Sequence, residues 1–203
     1  MKKRAEASAA TRERILRATM SLHDEKGVAT TTFSDVAERA GVGAATIYRN
    51  FPTLDALIAA CGAHVWQDMR PPTPQEAAAL FVGLETRAAR LERLVQELDA
   101  FYRRGEYRLV QAGHDRHRVP GLEMFLTAVE AGIEAWTREA LAGAAESDIR
   151  IVLALTDLRV WVSLKRLHLS KPKHVAFMLG LIESALAAEG AGPAGQSSSV
   201  SLG

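Results

Sequence analysis

The chain has 203 residues, 48% hydrophobic and 24% charged, the composition of an ordinary globular protein. The formal net charge of +1 gives no global electrostatic reason to expect nucleic-acid binding, so that argument rests on local patches. The single cysteine excludes an internal disulfide framework, and no apolar run approaches the roughly 18 residues that a membrane span needs. The polar N-terminus lacks the apolar segment of a secretory signal. We therefore expect a soluble, cytoplasmic protein.

The N-terminal end carries a local positive charge. Residues 1–17 contain six basic side chains against the two acidic ones, Glu6 and Glu13; the basic ones are Lys2, Lys3, Arg4, Arg12, Arg14 and Arg17. Such a segment can supply sequence-independent phosphate contacts, or it can be a solvated basic tail. We expect a disordered basic arm over residues 1–9, followed by an amphipathic helix from Thr11 to about Lys26.

The most informative stretch begins with a short helix after residue 31. Thr32 and Asp35 have the spacing of a capping box, which satisfies free N–H groups at a helix start. Val36 and Ala40 mark the inner face of this helix, and Gly41 follows it at a position that favours a left-handed conformation. The pattern predicts a helix that ends in a tight turn.

A second short helix follows this turn. It begins near Ala44 and ends before Pro52, because the residue before a proline is pushed out of the α region. Ile47 and Phe51 are four residues apart and share its inner face, where we expect them to be core residues. Two short helices joined by a turn that contains glycine are typical of a helix-turn-helix motif.

The outer face of the second helix suits a DNA groove. A threonine hydroxyl can bond a base edge or a phosphate, and Tyr48 can reach a phosphate oxygen. Arg49 can bond guanine bidentately or bind a phosphate. The alanines permit a close approach, and the hydroxyls that begin the first helix can hold a phosphate with its N–H groups. The predicted DNA-binding residues are Arg12, Thr32, Ser34, Gly43, Ala44, Ala45, Thr46, Tyr48 and Arg49.

The skeleton T-x-x-D-V-A-x-x-A-G-V-x-x-x-T-I-Y-x-x-F-x-x-x-x-x-L is present residue for residue from Thr32 to Leu57. With the preceding helix, this stretch resembles the N-terminal domain of TetR-type transcriptional regulators. The resemblance implies a homodimeric regulator, a repressor that a small-molecule effector releases from a palindromic operator, and not an enzyme. One position departs from the pattern: Leu54 stands where the family usually has a phosphate-binding lysine.

The rest of the chain also has helical periodicity. A helix capped by Thr53 ends near residue 70, and Pro71, Pro72 and Pro74 mark the most probable internal boundary. We therefore divide the chain into a DNA-binding domain, residues 10–70, a C-terminal effector-binding and dimerisation domain, residues 71–188, and a flexible tail, residues 189–203. The alternation at residues 160–164 lies within a longer helical pattern. The sequence thus predicts an all-α fold with about nine helices.

Two sets of residues in the C-terminal part are candidates for ligand and subunit contacts, and both assignments follow from the resemblance. Scattered aromatics can be core residues or can line an effector pocket; the pocket candidates are Trp66, Phe101, Tyr102, Tyr107, Phe125, Trp136 and Trp161. The helix around residues 149–169 is apolar on more than one side, so it is either central in its domain or part of a four-helix dimer interface with the last helix. The interface candidates are Leu155, Leu158, Val162, Met178, Ile182 and Ala185.

No pattern indicates a cofactor, a metal site or a catalytic centre. His114 and His117, like Cys61 and His64, have a spacing that could bind a metal ion, but further ligands are missing. Two alternative functions remain open. A helical small-molecule-binding protein or enzyme with a degenerate DNA-binding head would account for Leu54, whereas a structural helical adaptor would leave the head motif unexplained.

Overall fold

The computed structural model describes residues 2–190, apart from the side chains of Lys2 and Arg4. Within that range the chain is helical and contains no strand. The helices are α1 (Lys2–Lys26), α2 (Phe33–Ala40), α3 (Ala44–Asn50), α4 (Leu54–Met69), α5 (Ala77–Leu80), α6 (Arg87–Asp115), α7 (Pro120–Ala140), α8 (Glu146–Leu155), α9 (Leu158–Lys165) and α10 (Lys171–Gly190). Since α5 is a single turn, nine longer helices remain in the described range, and the prediction of an all-α fold with about nine helices is confirmed.

The described residues pack as two units. The first contains the chain up to Thr73 together with Phe101–Gly132, and the second contains Pro74–Ala100 and the chain from Ile133 onward. Long helices α6 and α7 therefore contribute residues to both units. The functional division at residue 70, with DNA binding on one side and effector binding and dimerisation on the other, stays a prediction.

Helix α1 is longer than its sequence pattern predicts. The expectation of a disordered arm over residues 1–9 is wrong for residues 2–9, which form the first turns of α1. Alanine, glutamate, lysine and arginine dominate this segment and are strong helix formers, and extending an existing helix needs no new nucleus. The predicted flexible tail, residues 189–203, is wrong for its first two residues, Glu189 and Gly190, which end α10. Its remainder from residue 191 onward lies outside the described residues, as does Met1.

Helices α1 to α4 enclose the core of the first unit. Its apolar centre consists of Ile15, Leu16, Ala18, Leu22, Val36, Ala40, Ile47, Phe51, Leu57 and Cys61. The predicted capping box is confirmed, since the Thr32 hydroxyl accepts the N–H of Asp35 and the Asp35 carboxylate accepts the N–H of Thr32. Gly41 ends α2 with φ 61°, a left-handed conformation that costs glycine little. These local signals set the direction in which α3 leaves α2.

Two side chains of α6 hold the loop after α1 and the end of α4 in place. The Asp115 carboxylate, at the end of α6, accepts the N–H of Ala29 at 3.0 Å and so fixes the loop between α1 and α2. Arg104 of α6 donates through Nε to the carbonyl of Met69 at 3.0 Å, where α4 ends and its last carbonyls lack helical partners. The position of α4 therefore depends on α6 as well as on the core that α4 shares with α1, α2 and α3.

In the second unit, a buried polar cluster joins α6, α9 and α10. Trp161 Nε1 donates to Asp99 Oδ1 at 3.0 Å, and His174 Nδ1 lies 3.1 Å from the same oxygen, although poorly aligned for a hydrogen bond. All three side chains are almost fully buried. Of the described helices, none combines the length and hydropathy that a bilayer-spanning segment requires.

Candidate functional site

Helix α3 presents the face that the sequence predicts. Ile47 is completely buried and Phe51 at the C-cap is 1% exposed, so this side of the helix faces the core. On the opposite side Tyr48 is 55% exposed, and Arg49 is exposed as well. The small residues that precede them, Gly43, Ala44 and Ala45, are exposed too, whereas Thr46 is half-buried. The predicted groove-contacting residues of α3 thus share an accessible face.

A second aromatic ring orients Tyr48. The Phe33 ring, in the first turn of α2, meets it edge-on with centroids 5.0 Å apart and planes at 81°. This is a favourable aromatic geometry, and it leaves the phenol end of Tyr48 accessible. The contact fixes the tyrosine relative to the N-terminal end of α2, so both helices can address one ligand surface.

Arg12, a predicted DNA-binding residue, is exposed and also makes contacts within the chain. Its Nη1 donates to the carbonyl of Asn50 at 2.9 Å, and its guanidinium carbon lies 4.2 Å from the centroid of the Phe51 ring. The carbonyls at the end of α3 have no helical partner, and a cation is favourable there. Arg12 therefore stabilises the end of α3, through a contact across 38 residues that no local pattern indicates.

The N-terminal end of α2 is less open to a phosphate than its hydroxyls suggest. The Thr32 hydroxyl is within 2.7 Å of Asp35 Oδ2, and Lys26 Nζ pairs with the same oxygen at 2.6 Å. The Lys26 ammonium and the Thr32 groups hold the pKa of Asp35 well below its usual range, so the carboxylate stays ionised. Ser34 is exposed and is the better phosphate candidate of the two hydroxyls.

Leu54 begins α4 directly after Thr53, whose hydroxyl caps the helix by accepting the N–H of Ala56 at 3.1 Å. The Leu54 side chain is 37% exposed, in the same group of helices as α3. An apolar side chain at this position cannot hold a phosphate, and the next residue is the acidic Asp55. Leu54 itself therefore offers no phosphate contact at the start of α4.

These two short helices, their glycine-containing turn and the exposed second helix define a helix-turn-helix DNA-binding domain. Residues 15–61 match the family model of the bacterial regulatory proteins of the tetR family. The resemblance noted in the sequence is thus confirmed for this part of the chain. No curated protein sequence gives a significant match.

Solved structures share the fold over most of the chain. The multidrug-binding protein EbrR in complex with imidazole is 19% identical, with a TM-score of 0.56 over 84% of this chain and 88% of that one. A protein of Mesorhizobium loti MAFF303099 described as a TetR-family regulator is 18% identical, with a TM-score of 0.56 over 89% and 97%. GusR of Salmonella enterica is 23% identical, with a TM-score of 0.52 over 86% and 96%. Likeness at these identities shows the fold alone.

A cavity of about 380 Å³ lies in the first unit, within the size range of small-molecule sites. Of the predicted pocket aromatics, Trp66 and Phe125 line it and meet edge-on with centroids 5.6 Å apart. The other lining residues come from α4, α6, α7 and the end of α1 and its following loop: Met20, His23, Asp24, Val28, Ile58, Ala59, Cys61, Gly62, Ala63, Val65, Arg108, Gln111, Ala112, Gly121, Leu122 and Met124.

The remaining predicted pocket aromatics are placed elsewhere. Phe101 and Tyr102 are buried in the first unit but do not line the cavity. Tyr107 is half exposed, and its hydroxyl donates to the carbonyl of Asp24. Trp136 and Trp161 are buried in the second unit. The sequence therefore finds two of the lining residues and misses the contribution of α1.

The polar groups in the cavity wall are few. His23 Nε2 is buried and has no hydrogen-bond partner among the described residues. Burial lowers the pKa of His23 to about 4, against the opposing influence of Asp24 and Asp115, so the ring is neutral near pH 7. Asp24 Oδ1 pairs with Arg108 Nε at 3.4 Å. Burial also raises the pKa of the Cys61 thiol to about 12, which makes it unreactive.

No group of three or more histidine, cysteine, aspartate or glutamate side chains that could hold a metal ion occurs within residues 2–190.

The predicted subunit interface needs one correction. Met178 and Ile182 are 2% and 0% exposed in the single chain, so they belong to the core of the second unit and do not form part of an outer surface. Leu155, Leu158, Val162 and Ala185 are partly exposed and remain candidates. The spacing of the α10 stripe is correct for a buried face, but periodicity does not tell which partner covers that face.

Proposed function

We propose that this chain is a homodimeric transcriptional regulator, a repressor that binds a palindromic operator in the bacterial cytoplasm and is released by a small-molecule effector. It acts through binding and not as an enzyme. The observation that carries the proposal is the outer face of α3, where Tyr48 and Arg49 are exposed around a buried Ile47 within a TetR-family domain. We infer direct contacts to DNA from these two residues, from Ser34 and from the small residues at the start of α3.

Dimerisation follows from the shortness of the recognition helix. Seven residues of α3 can reach only a few base pairs, and two-fold symmetry doubles the contact. Leu155, Leu158, Val162 and Ala185 supply partly exposed apolar surface on the last helices, and the 43% exposed Phe177 of α10 adds to it. Such a dimer would read half-sites about 34–36 Å apart, or a multiple of that distance.

Effector control is supported by the place of α4 in the first unit. Helix α4 follows α3 after a three-residue break, and its residues 58–66 supply one wall of the cavity. A ligand between α4 and the facing helices α6 and α7 would bias the position of α4 and with it the orientation of α3. The fold is shared with EbrR, which its structure describes as a multidrug-binding protein.

We expect Tyr48→Ala and Arg49→Ala each to weaken operator binding by about 1–3 kcal/mol, because each removes a base or phosphate contact. The operator is first recovered by selection from a random DNA pool, and affinities are then measured by fluorescence anisotropy. Arg150→Ala is the matched control, since Arg150 is an exposed arginine on α8, in the other unit. Equal affinities for all four proteins would refute the assignment of α3 as the recognition helix.

We expect Leu54→Lys to tighten DNA binding by restoring a phosphate contact at the start of α4. Each phosphate contact steepens the logarithmic dependence of affinity on salt by about 0.9, so the variant should gain at least this slope over the wild type. The measurement is a salt series of operator affinities for the two proteins. If the wild type selects no DNA at low salt while folded and dimeric, the alternative of a ligand-binding protein with a degenerate head gains support.

A further inference from the structure

The cavity of the first unit is partly built by the DNA-binding head itself. Met20 and His23 of α1 face the same space as Ile58 and Trp66 of α4 and Phe125 of α7. Helix α1 also supplies Ile15, Leu16 and Leu22 to the core on which the recognition helix is seated. A molecule in this cavity would therefore contact α1 directly, in addition to α4.

The chemistry of the wall restricts what the cavity can bind. Apart from His23, Asp24, Cys61, Arg108 and Gln111, its lining residues are apolar or glycine. Its two ionised side chains, Asp24 and Arg108, pair with each other at 3.4 Å, so neither is left to neutralise a charged ligand. Moving an uncompensated charge into such a space is costly. The cavity therefore favours an uncharged molecule.

Among the polar groups of the wall, His23 has a buried nitrogen, Nε2, without a hydrogen bond to any described residue. A buried polar atom without a partner destabilises the protein by its cost of desolvation, and a hydrogen bond to a ligand would offset this cost. The ring torsion of histidine is broad, so a small rotation can direct this nitrogen toward a bound molecule. A neutral imidazole carries one donor and one acceptor nitrogen, and a ligand hydroxyl can satisfy either.

We propose that the cavity binds an uncharged, mostly apolar ligand whose hydroxyl group hydrogen-bonds to His23, so that helix α1 of the head anchors the effector. This inference rests on the proposed function, because it names the chemical class of the effector and its polar contact. It also assigns the head a direct part in effector recognition.

The test uses four probes with one ring system and different polar groups: naphthalene, 1-naphthol, 1-naphthoate and 1-naphthylmethylammonium. Each is titrated into the full chain without DNA at about pH 7, and binding is followed by calorimetry. We expect 1-naphthol to bind roughly 5-fold tighter than naphthalene, the contribution of one hydrogen bond, and at least about tenfold tighter than either charged probe.

Variants of His23 separate the hydrogen bond from the shape of the cavity. His23→Phe should abolish the preference for 1-naphthol over naphthalene, and His23→Gln, which keeps a donor and an acceptor, should retain part of it. Circular dichroism checks that both variants are folded. The inference is overturned if a charged probe binds as tightly as 1-naphthol, if folded His23→Phe keeps the preference, or if no probe binds.

Operator binding measured in a separate experiment tells the two proposals apart. A chain that selects an operator but binds none of the four probes keeps the proposed DNA-binding function and loses the ligand site inferred here. A chain that binds 1-naphthol through His23 but selects no DNA keeps the site and loses the proposed regulator. The first case makes a different cavity occupant the next target, and the second supports the alternative of a ligand-binding protein.

Discussion

Replacing Asp99 by alanine should lower the free energy of unfolding by about 1–3 kcal/mol, the cost of leaving a buried donor without its hydrogen-bond partner. Asp99 is 1% exposed, and its Oδ1 accepts Trp161 Nε1 at 3.0 Å and lies 3.1 Å from His174 Nδ1. Without the carboxylate, the buried Trp161 Nε1 loses its acceptor, and the close contact with His174 Nδ1 is lost as well. The measurement is urea unfolding at fixed protein concentration, because the proposed dimerisation would make apparent stability depend on concentration.

Two variants sharpen the Asp99 experiment. Asp99→Asn keeps an oxygen that can accept from Trp161, so its loss of stability should be smaller than that of Asp99→Ala. Glu92→Ala removes an exposed acid from the same helix and should change stability by no more than about 0.5 kcal/mol. A loss below about 1 kcal/mol for Asp99→Ala would mean that the cluster contributes little to the second unit.

The Asp99 variants also bear on assembly. The cluster ties α9 and α10 to α6, and α9 and α10 carry Leu158, Val162 and Ala185 of the proposed interface. If those residues meet a second copy, a loosened cluster should weaken self-association before the chain unfolds. Sedimentation of Asp99→Asn over a range of protein concentrations tests this at a stability close to that of the wild type.

The head could be predicted from sequence because its signals are local. The capping pair Thr32 and Asp35, the left-handed Gly41 and the stop at Pro52 each act within a few residues, and together they fix two helices and their turn. Inward and outward faces of α3 follow from helical periodicity, which is why Ile47 is buried and Tyr48 is exposed.

The parts that could not be predicted depend on contacts between distant residues. Arg12 reaches Asn50 across 38 positions, and His23 meets Trp66 and Phe125 only through the tertiary fold. Helical periodicity in a sequence identifies an apolar face, but it does not identify the residues that cover this face. For this reason Met178, expected at a subunit interface, belongs to the core of its own chain. Strong helix formers likewise extend α1 to Lys2, where charge alone suggested disorder.

Gly132→Ala should destabilise the protein by about 3 kcal/mol or more, although the same change in most helices is stabilising by about 0.5–1 kcal/mol. Gly132 lies in the middle of α7 and is buried. A Cβ at this position would lie 2.0 Å from the carbonyl oxygen of Pro72 and 3.0 Å from the backbone nitrogen of Thr73. Backbone atoms cannot rotate aside as a side chain does, so α7 or the segment after α4 has to move.

Gly113→Ala provides the matched control for this change. Gly113 is also within a helix, α6, but a Cβ there would have no atom within 4 Å, so the substitution should stabilise the protein by about 0.5–1 kcal/mol. Opposite signs for the two glycines in thermal unfolding would show that close approach, not helix propensity, decides at Gly132. Because the displaced segment continues directly from α4, a folded Gly132→Ala protein should also show altered operator affinity. Stabilisation by both substitutions would refute the tight contact between α7 and Pro72.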